Sequence, residues 1–249
     1  MKKILLFVTA LLAVSCSDDL NSGNPDGGSD SYILPKKKVE TAANGSSLTT
    51  NYSYNGNKLT SVTYSDGTNE AYTYLENYIT EIRHYENGGL IEKEVFNYST
   101  SGLTAHVSYF YDLANPSNNN AVKYNYTYNG GTITVNKYTG DESSQTTAAG
   151  TATLTVTSNG NITKYESGTT TIDYNFDFNS SPVREIAGYQ AVVLAALEGG
   201  ANNITTTRVN NNGTITNILT TYVYNPVSYP VTATHTAADG SVSTTAFTY

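Results

Sequence analysis

Apolar and polar residues alternate along most of this chain with a period of two. Tyr52, Tyr54, Val62, Tyr64, Tyr72 and Tyr74 all fall on even positions, with Ser53, Ser61, Thr63 and Thr73 between them. Further on, Ile172, Tyr174, Phe176 and Phe178 alternate with Thr171, Asp173, Asn175 and Asp177. Successive side chains of a strand point to opposite faces, so each run has one aromatic and aliphatic face and one face of Thr, Ser and Asn. Such a sheet buries one side and wets the other.

The runs are separated by Asn87-Gly88, Asn129-Gly130, Asn159-Gly160 and Asn212-Gly213, and by Asp66-Gly67 and Asp239-Gly240. Asn-Gly and Asp-Gly between two strand-like runs predict antiparallel hairpins. The same unit recurs in degenerate form, from Tyr52-Ser-Tyr54 through Tyr72-Thr-Tyr74, Phe96-Asn-Tyr98 and Tyr124-Asn-Tyr126 to Tyr222-Val-Tyr224 and Phe247-Thr-Tyr249. Its period is about 20 to 30 residues. The pattern predicts an all-β antiparallel meander of about 14 to 16 short strands. A long meander with one apolar face hides it by closing into a barrel or curling into a sandwich. Because tyrosine dominates the inward face and each buried hydroxyl needs a partner, the interior is expected to hold polar groups or water.

One stretch departs from the period of two. Gly188 to Gly200 is rich in Ala and Leu, and Tyr189, Val192, Val193 and Ala196 fall at helical spacing. A short helix is predicted near 189–198, stopped by Gly199, covering a sheet edge or plugging a barrel end.

The N-terminus changes the picture from fold to location. Met1-Lys2-Lys3 is followed by an apolar stretch from Ile4 to Val14, the length of a secretory core. Ala13-Val14-Ser15-Cys16 resembles the lipobox of bacterial lipoproteins, and Cys16 is the only cysteine in the chain. The resemblance implies that residues 1–15 are a signal peptide and that Cys16 carries the lipid. Ser17-Asp18-Asp19 resembles the signal that sends Bacteroidetes lipoproteins to the outer face of the outer membrane. Residues 17–31 are poor in apolar side chains and read as a flexible linker, with a reach of roughly 20 Å. Residues 32–249 are then one all-β domain.

Together, the lipobox, the acidic tether and units such as Tyr52-Ser-Tyr-Asn-Gly-Asn-Lys-Leu59 resemble a group of Bacteroidetes surface lipoproteins of unknown function with a porin-like β-barrel fold. The units also resemble, more distantly, the YD repeats of Rhs-type proteins, with Tyr54-Asn55 standing where those repeats have Tyr-Asp.

Composition narrows the function classes. The formal net charge is −8, and loss of Lys2 and Lys3 with residues 1–15 takes it to −10. An acidic surface repels nucleic acid and anionic lipid, and nucleic acid is excluded as a partner. His84, His106 and His235 are scattered, Glu92 and Glu94 flank Lys93 as on a solvated strand, and Asp66 and Asp239 read as turn residues. No cofactor, metal or catalytic residue is assigned, and the chain reads as a binder rather than an enzyme. Three classes follow: a surface module contacting glycan or an outer-membrane protein, ranked first; a small-ligand carrier using a barrel interior; and a surface hydrolase. Exposed aromatics on a concave face would favour the first, an internal cavity lined by tyrosines the second, and clustered carboxylates and histidines the third.

Overall fold

The computed structural model describes residues 32–249. Cys16, Ser17, Asp18 and Asp19 lie outside the described residues. The period-two runs form sixteen strands: β1 (Lys37–Thr41), β2 (Ser47–Asn55), β3 (Lys58–Tyr64), β4 (Asn69–Leu75), β5 (Tyr78–Glu86), β6 (Gly89–Ser99), β7 (Gly102–Phe110), β8 (Asn120–Asn129), β9 (Thr132–Gly140), β10 (Gln145–Val156), β11 (Ile162–Ser167), β12 (Thr170–Ser180), β13 (Asn202–Asn211), β14 (Thr214–Tyr224), β15 (Pro230–Thr236) and β16 (Val242–Thr248). Each strand pairs antiparallel with its neighbours in sequence, and β1 pairs with β16, with Lys37 opposite Thr248 and Thr41 opposite Thr244. The meander is therefore a closed barrel with no free edge, which settles the choice between barrel and sandwich.

The Asn-Gly turns close hairpins for the expected reason. At Asn212-Gly213, φ is +50° and +89°, the pair of left-handed residues that a tight two-residue hairpin requires. Sidedness also follows the sequence. Tyr52, Tyr54, Tyr64, Tyr72 and Tyr74 pack against the core, while Ser53, Thr63 and Thr73 are exposed.

A recurring bulge keeps that sidedness through the hairpins. Leu59 and Val62 are both buried although their positions differ by an odd number, because the register between β2 and β3 shifts at Ser53/Tyr54. Ile79 and Ile82 repeat this on β5, and Leu103 and His106 on β7. In each case the intervening threonine donates its hydroxyl to a carbonyl on the preceding strand: Thr60 to Ser53 at 3.0 Å, Thr80 to Thr73 at 3.2 Å, and Thr104 to Asn97 at 3.0 Å. Thr163 to Thr155 and Thr205 to Asn175 have the same arrangement. Each extra residue is thus absorbed by a bonded bulge, and the apolar face stays inward.

A tyrosine of several units ties one hairpin to the next. Leu59 N donates to Tyr74 Oη at 3.1 Å, Tyr98 Oη donates to the Ile79 carbonyl at 2.6 Å, and Tyr222 Oη donates to the Ile204 carbonyl at 2.8 Å. These contacts satisfy backbone groups that the bulges free from the ladder.

The helix α1 (Tyr189–Ala196) forms where expected but ends differently. Leu197 takes the left-handed conformation at φ +61° and closes the helix before Gly199 is reached. Its buried residues are Tyr189, Ala191, Val193 and Leu194, while Ala196 is exposed, so the inward surface is broader than the stripe of Tyr189, Val192, Val193 and Ala196. The helix packs against β5 and β7 and joins the same core as the strands. The segment 181–201 that carries it spans one mouth of the barrel: Ala187 N donates to the Asn57 carbonyl, Asn57 Nδ2 to the Glu185 carbonyl, and Ser181 Oγ to the Gly200 carbonyl. Gly188, at φ +71°, lies so close to the β4–β5 turn that a Cβ would sit 2.7 Å from Ile79 N. The helix is a plug rather than an edge cover.

The register of β12 corrects one expectation. Pairing with β13 slips between Asn175 and Phe176 and again before Ser180, so the alternation reverses. Phe178 is fully exposed, and Asp177 instead accepts hydrogen bonds from Asn203 N and from Tyr224 Oη.

Candidate functional site

The inward faces of β3 to β7 carry a chain of polar side chains at mid-barrel. Val62 on β3 faces Glu70 on β4, Glu70 faces His84 on β5, His84 faces Glu92 on β6, and Glu94 faces Ser108 on β7. Tyr64 Oη donates to Glu70 Oε1 at 2.6 Å, and Tyr72 Oη donates to Glu70 Oε2. His84 Nδ1 lies 3.5 Å from Glu70 Oε1, and its Nε2 donates to Glu94 Oε1 at 2.7 Å. His106 Nε2 donates to Glu94 Oε2 at 2.6 Å, and Ser108 Oγ lies 3.3 Å from the same nitrogen. The His106 ring is stacked between Phe96 and Tyr124, with centroids 4.8 Å and 5.8 Å away.

Electrostatics fix the charge states in this chain. Burial alone would push the Glu94 carboxyl up, but hydrogen bonds from His106 and His84 override it and hold it down at about 2. Burial would likewise pull His84 down, yet hydrogen bonds to Glu70 and Glu94, with the charge of both carboxylates, raise it to about 10. Against its own burial, Glu70 is lowered by the His84 hydrogen bond. Glu92 goes the other way, raised by burial and by its like-charged neighbour Glu94. At neutral pH the centre is therefore an imidazolium held between two carboxylates.

Glu92 and Glu94 were expected on a solvated strand face. The structure turns both into the lumen, because their even positions share the inward face with Phe96 and Tyr98. His84 and His106, 22 positions apart in sequence, meet on one carboxylate because two hairpins intervene. Among the described residues no group of three or more His, Cys, Asp or Glu is arranged to hold a metal ion. Asp66 and Asp239 close turns, accepting from Thr68 N at 3.0 Å and Ser241 N at 2.9 Å.

On the other side of the lumen, at the end away from the plug, a cavity of about 700 Å³ opens between β14, β15, β16, β1 and β2. Glu40, Leu48, Ile218, His235, Ser243 and Thr245 line it. His235 Nδ1 is 3.0 Å from Thr220 Oγ1 and its Nε2 is 3.2 Å from Thr245 Oγ1. Burial lowers its pKa, which keeps it a neutral hydrogen-bonding ring. Beneath it the buried Lys38 donates to Glu40 at 2.8 Å. Elsewhere in the barrel, Thr50 Oγ1, Tyr54 Oη, Tyr126 Oη and His106 Nδ1 are buried and have no hydrogen-bond partner among the described residues. Unsatisfied groups of this kind call for a solute or water to bond them.

The outer wall has a different character. Asn51, Ser53, Thr63, Thr73, Arg83, Asn97, Thr127, Asn175, Asn217, Thr221 and Thr232 are exposed along it. No described helix is long and apolar enough to cross a membrane.

Sixteen antiparallel strands closed on themselves, with one mouth plugged from within, define a barrel of the porin-like shape. A porin-like protein from Bacteroides vulgatus ATCC 8482 is similar in structure, with a TM-score of 0.59, 12% identity, and 87% of this chain and 98% of that one covered. A second porin-like protein, from Bacteroides uniformis ATCC 8492, aligns over 85% of this chain and 95% of its own, at 14% identity and a TM-score of 0.41. No protein-family model matches the chain, and no curated protein matches it. The likeness to the first structure is one of fold.

Proposed function

We propose that this chain is a lipid-anchored outer-membrane protein of the cell surface whose barrel interior captures a small molecule without transforming it. The observation that carries the ligand reading is the 700 Å³ cavity at the open end, lined by Glu40, Leu48, Ile218 and His235 rather than by tyrosines, together with buried hydroxyls elsewhere in the barrel that lack a partner among the described residues. A barrel of this strand number has an interior too wide for side chains alone to fill. Pockets of this size suit a small organic ligand held by a few polar groups. Glu40, His235 and the lumenal carboxylates favour a neutral or cationic ligand rich in hydrogen-bond donors, such as a sugar or an amine.

The anchor reading rests on the lipobox around Cys16 and on Ser17-Asp18-Asp19. The outer wall is compatible with it: a barrel that meets lipid carries a continuous apolar band outside, whereas this wall carries Thr, Ser and Asn on most strands, with apolar residues such as Leu219 and Val223 on β14. The domain then stands in water beside the membrane, held by its acyl chains, of which two or more anchor stably. Cys16→Ser should release the protein from the membrane fraction or leave it unprocessed, and unchanged detergent partitioning would contradict the anchor. Protease added to intact cells should remove the domain if it faces outward.

For the ligand, the barrel lacking residues 1–31 is offered panels of glycans, amines and esters. Saturable binding without turnover is expected. Robust hydrolysis, abolished by Glu94→Gln, would instead favour the hydrolase reading, for which the His84–Glu94–His106 cluster is the specific observation.

A further inference from the structure

The two ends of the barrel differ in charge and in exposed aromatic surface. At the open end the turns 42–46, 65–68, 87–88, 111–119, 141–144, 168–169, 212–213 and 237–241 carry Asp66, Asp112, Asp141, Glu142 and Asp239, with no Lys or Arg. At the plugged end Lys36, Lys37 and Arg184 are exposed, with Glu76 the exposed acidic residue of its β4–β5 turn. The exposed aromatic residues among the described large apolar side chains, Tyr32, Tyr78 and Phe178, all lie at this plugged end, as do Leu75 and Val227, whereas the open end exposes the aliphatic Leu113, Ile215 and Val242.

The chain also enters the barrel at that end. Ile33 N donates to Glu185 Oε2 of the plug at 2.7 Å, and Lys36 N donates to the Thr248 carbonyl at the C-terminal strand. Fifteen residues of the sequence, 17–31, separate this point from Cys16. Most strands have nine to twelve residues or slightly fewer, which puts the acidic mouth about 20–30 Å further away.

We infer that the plugged end is the face this protein sets on the membrane, with Phe178, Leu75 and Tyr78 entering the headgroup layer and Lys36, Lys37 and Arg184 meeting anionic headgroups, so that the open cavity points away from the bilayer. Aromatic side chains favour the membrane–water boundary, and basic residues are drawn to anionic lipid within a Debye length of it. The acidic mouth is repelled from the same surface. The inference rests on the lipid anchor proposed above and adds to it an orientation.

The chain contains no tryptophan, so single-tryptophan variants report position directly. A chain lacking residues 1–15 is coupled through Cys16 to a maleimide phospholipid in phosphatidylcholine–phosphatidylglycerol vesicles that contain a brominated lipid. Phe178→Trp and Leu75→Trp should show blue-shifted emission and loss of fluorescence to bromine quenching. Asp239→Trp should keep water-like emission and remain unquenched. Equal quenching at the two ends, or quenching at Asp239→Trp alone, would overturn the orientation. Acylation is read separately by metabolic labelling of the full-length protein in cells. Absence of label at Cys16 overturns the anchor, and the orientation with it. Labelled protein with no end preference in vesicles overturns the orientation only.

Discussion

The plugged half and the open half of this barrel are built from the same hairpin units but solve different problems. Near the plug, Leu59, Ile79, Leu103, Ile162 and Ile204 stand within the first three residues of their strands and join α1 in a single apolar core. Their bulges are bonded by threonine hydroxyls, and tyrosines of neighbouring hairpins bond the freed backbone groups. Three to six residues further along the strands, the inward positions become Glu70, His84, Glu92, Glu94 and His106, and beyond them the wall opens into the cavity at Glu40, Ile218 and His235. One half is packed for stability; the other spends burial on charge and hydrogen-bonding capacity. Buried ion networks seldom stabilise more than the apolar packing they displace, so their presence here points to a use.

The sharpest way to break this contrast is to cut each half and follow the loss against pH. Glu94→Leu leaves the His84 and His106 nitrogens without their shared carboxylate and should destabilise by about 3–5 kcal/mol near pH 6, measured by chemical denaturation. Glu94 is depressed, so its contribution is present above its ordinary value of 4.5 and is lost as pH falls toward about 2. His84 is raised, so its contribution is fully present below 6.5 and is lost as pH rises through about 10. Wild-type stability should therefore peak between those ordinary values, and the cost of Glu94→Leu should shrink on either side. Ile79→Ala, in the packed half, should cost about 2–5 kcal/mol by cavity formation and show no such pH dependence. A common pH profile for both variants would mean that the two halves are not distinct.

Smaller changes sharpen the account of the bulges. Thr60→Val keeps the side-chain shape and removes the bond to the Ser53 carbonyl; it should cost about 0.5–1.5 kcal/mol. Thr63→Asp, exposed on the outer wall, should stay within about ±0.5 kcal/mol, whereas Tyr64→Asp, its inward neighbour, should exceed about 2 kcal/mol. Equal effects at 63 and 64 would contradict the sidedness of the sheet.

The difference between the halves also explains what could be read from the chain. Strand identity, sidedness between Tyr52 and Tyr74, hairpin turns and the helix near Tyr189 follow from local period and turn chemistry, and these appear where expected. The bulges hide in the same signal: Leu59-Thr-Ser-Val62, Ile79-Thr-Glu-Ile82 and Leu103-Thr-Ala-His106 share a threonine and an odd spacing that announces an extra residue. At Phe178 the slip has no such marker, and the alternation misleads. The lumenal cluster is assembled across strands, so His84 and His106 look scattered, and Glu92 and Glu94 look solvated beside Lys93. Their even positions, shared with Phe96 and Tyr98, were the available sign that they face inward.

The account's central claim is that the working surface is the lumen and not the outer wall, and two adjacent residues of β14 separate these. Ile218 lines the open cavity, whereas Leu219, opposite Thr206 and Thr236, is exposed on the outside. Saturation-transfer NMR against a library of sugars and amines compares the wild-type barrel with Ile218→Arg and Leu219→Arg. The lumen reading predicts that ligand signals seen with wild type vanish in Ile218→Arg and persist in Leu219→Arg. Signals that survive at Ile218→Arg and vanish at Leu219→Arg would place binding on the outer wall and contradict it.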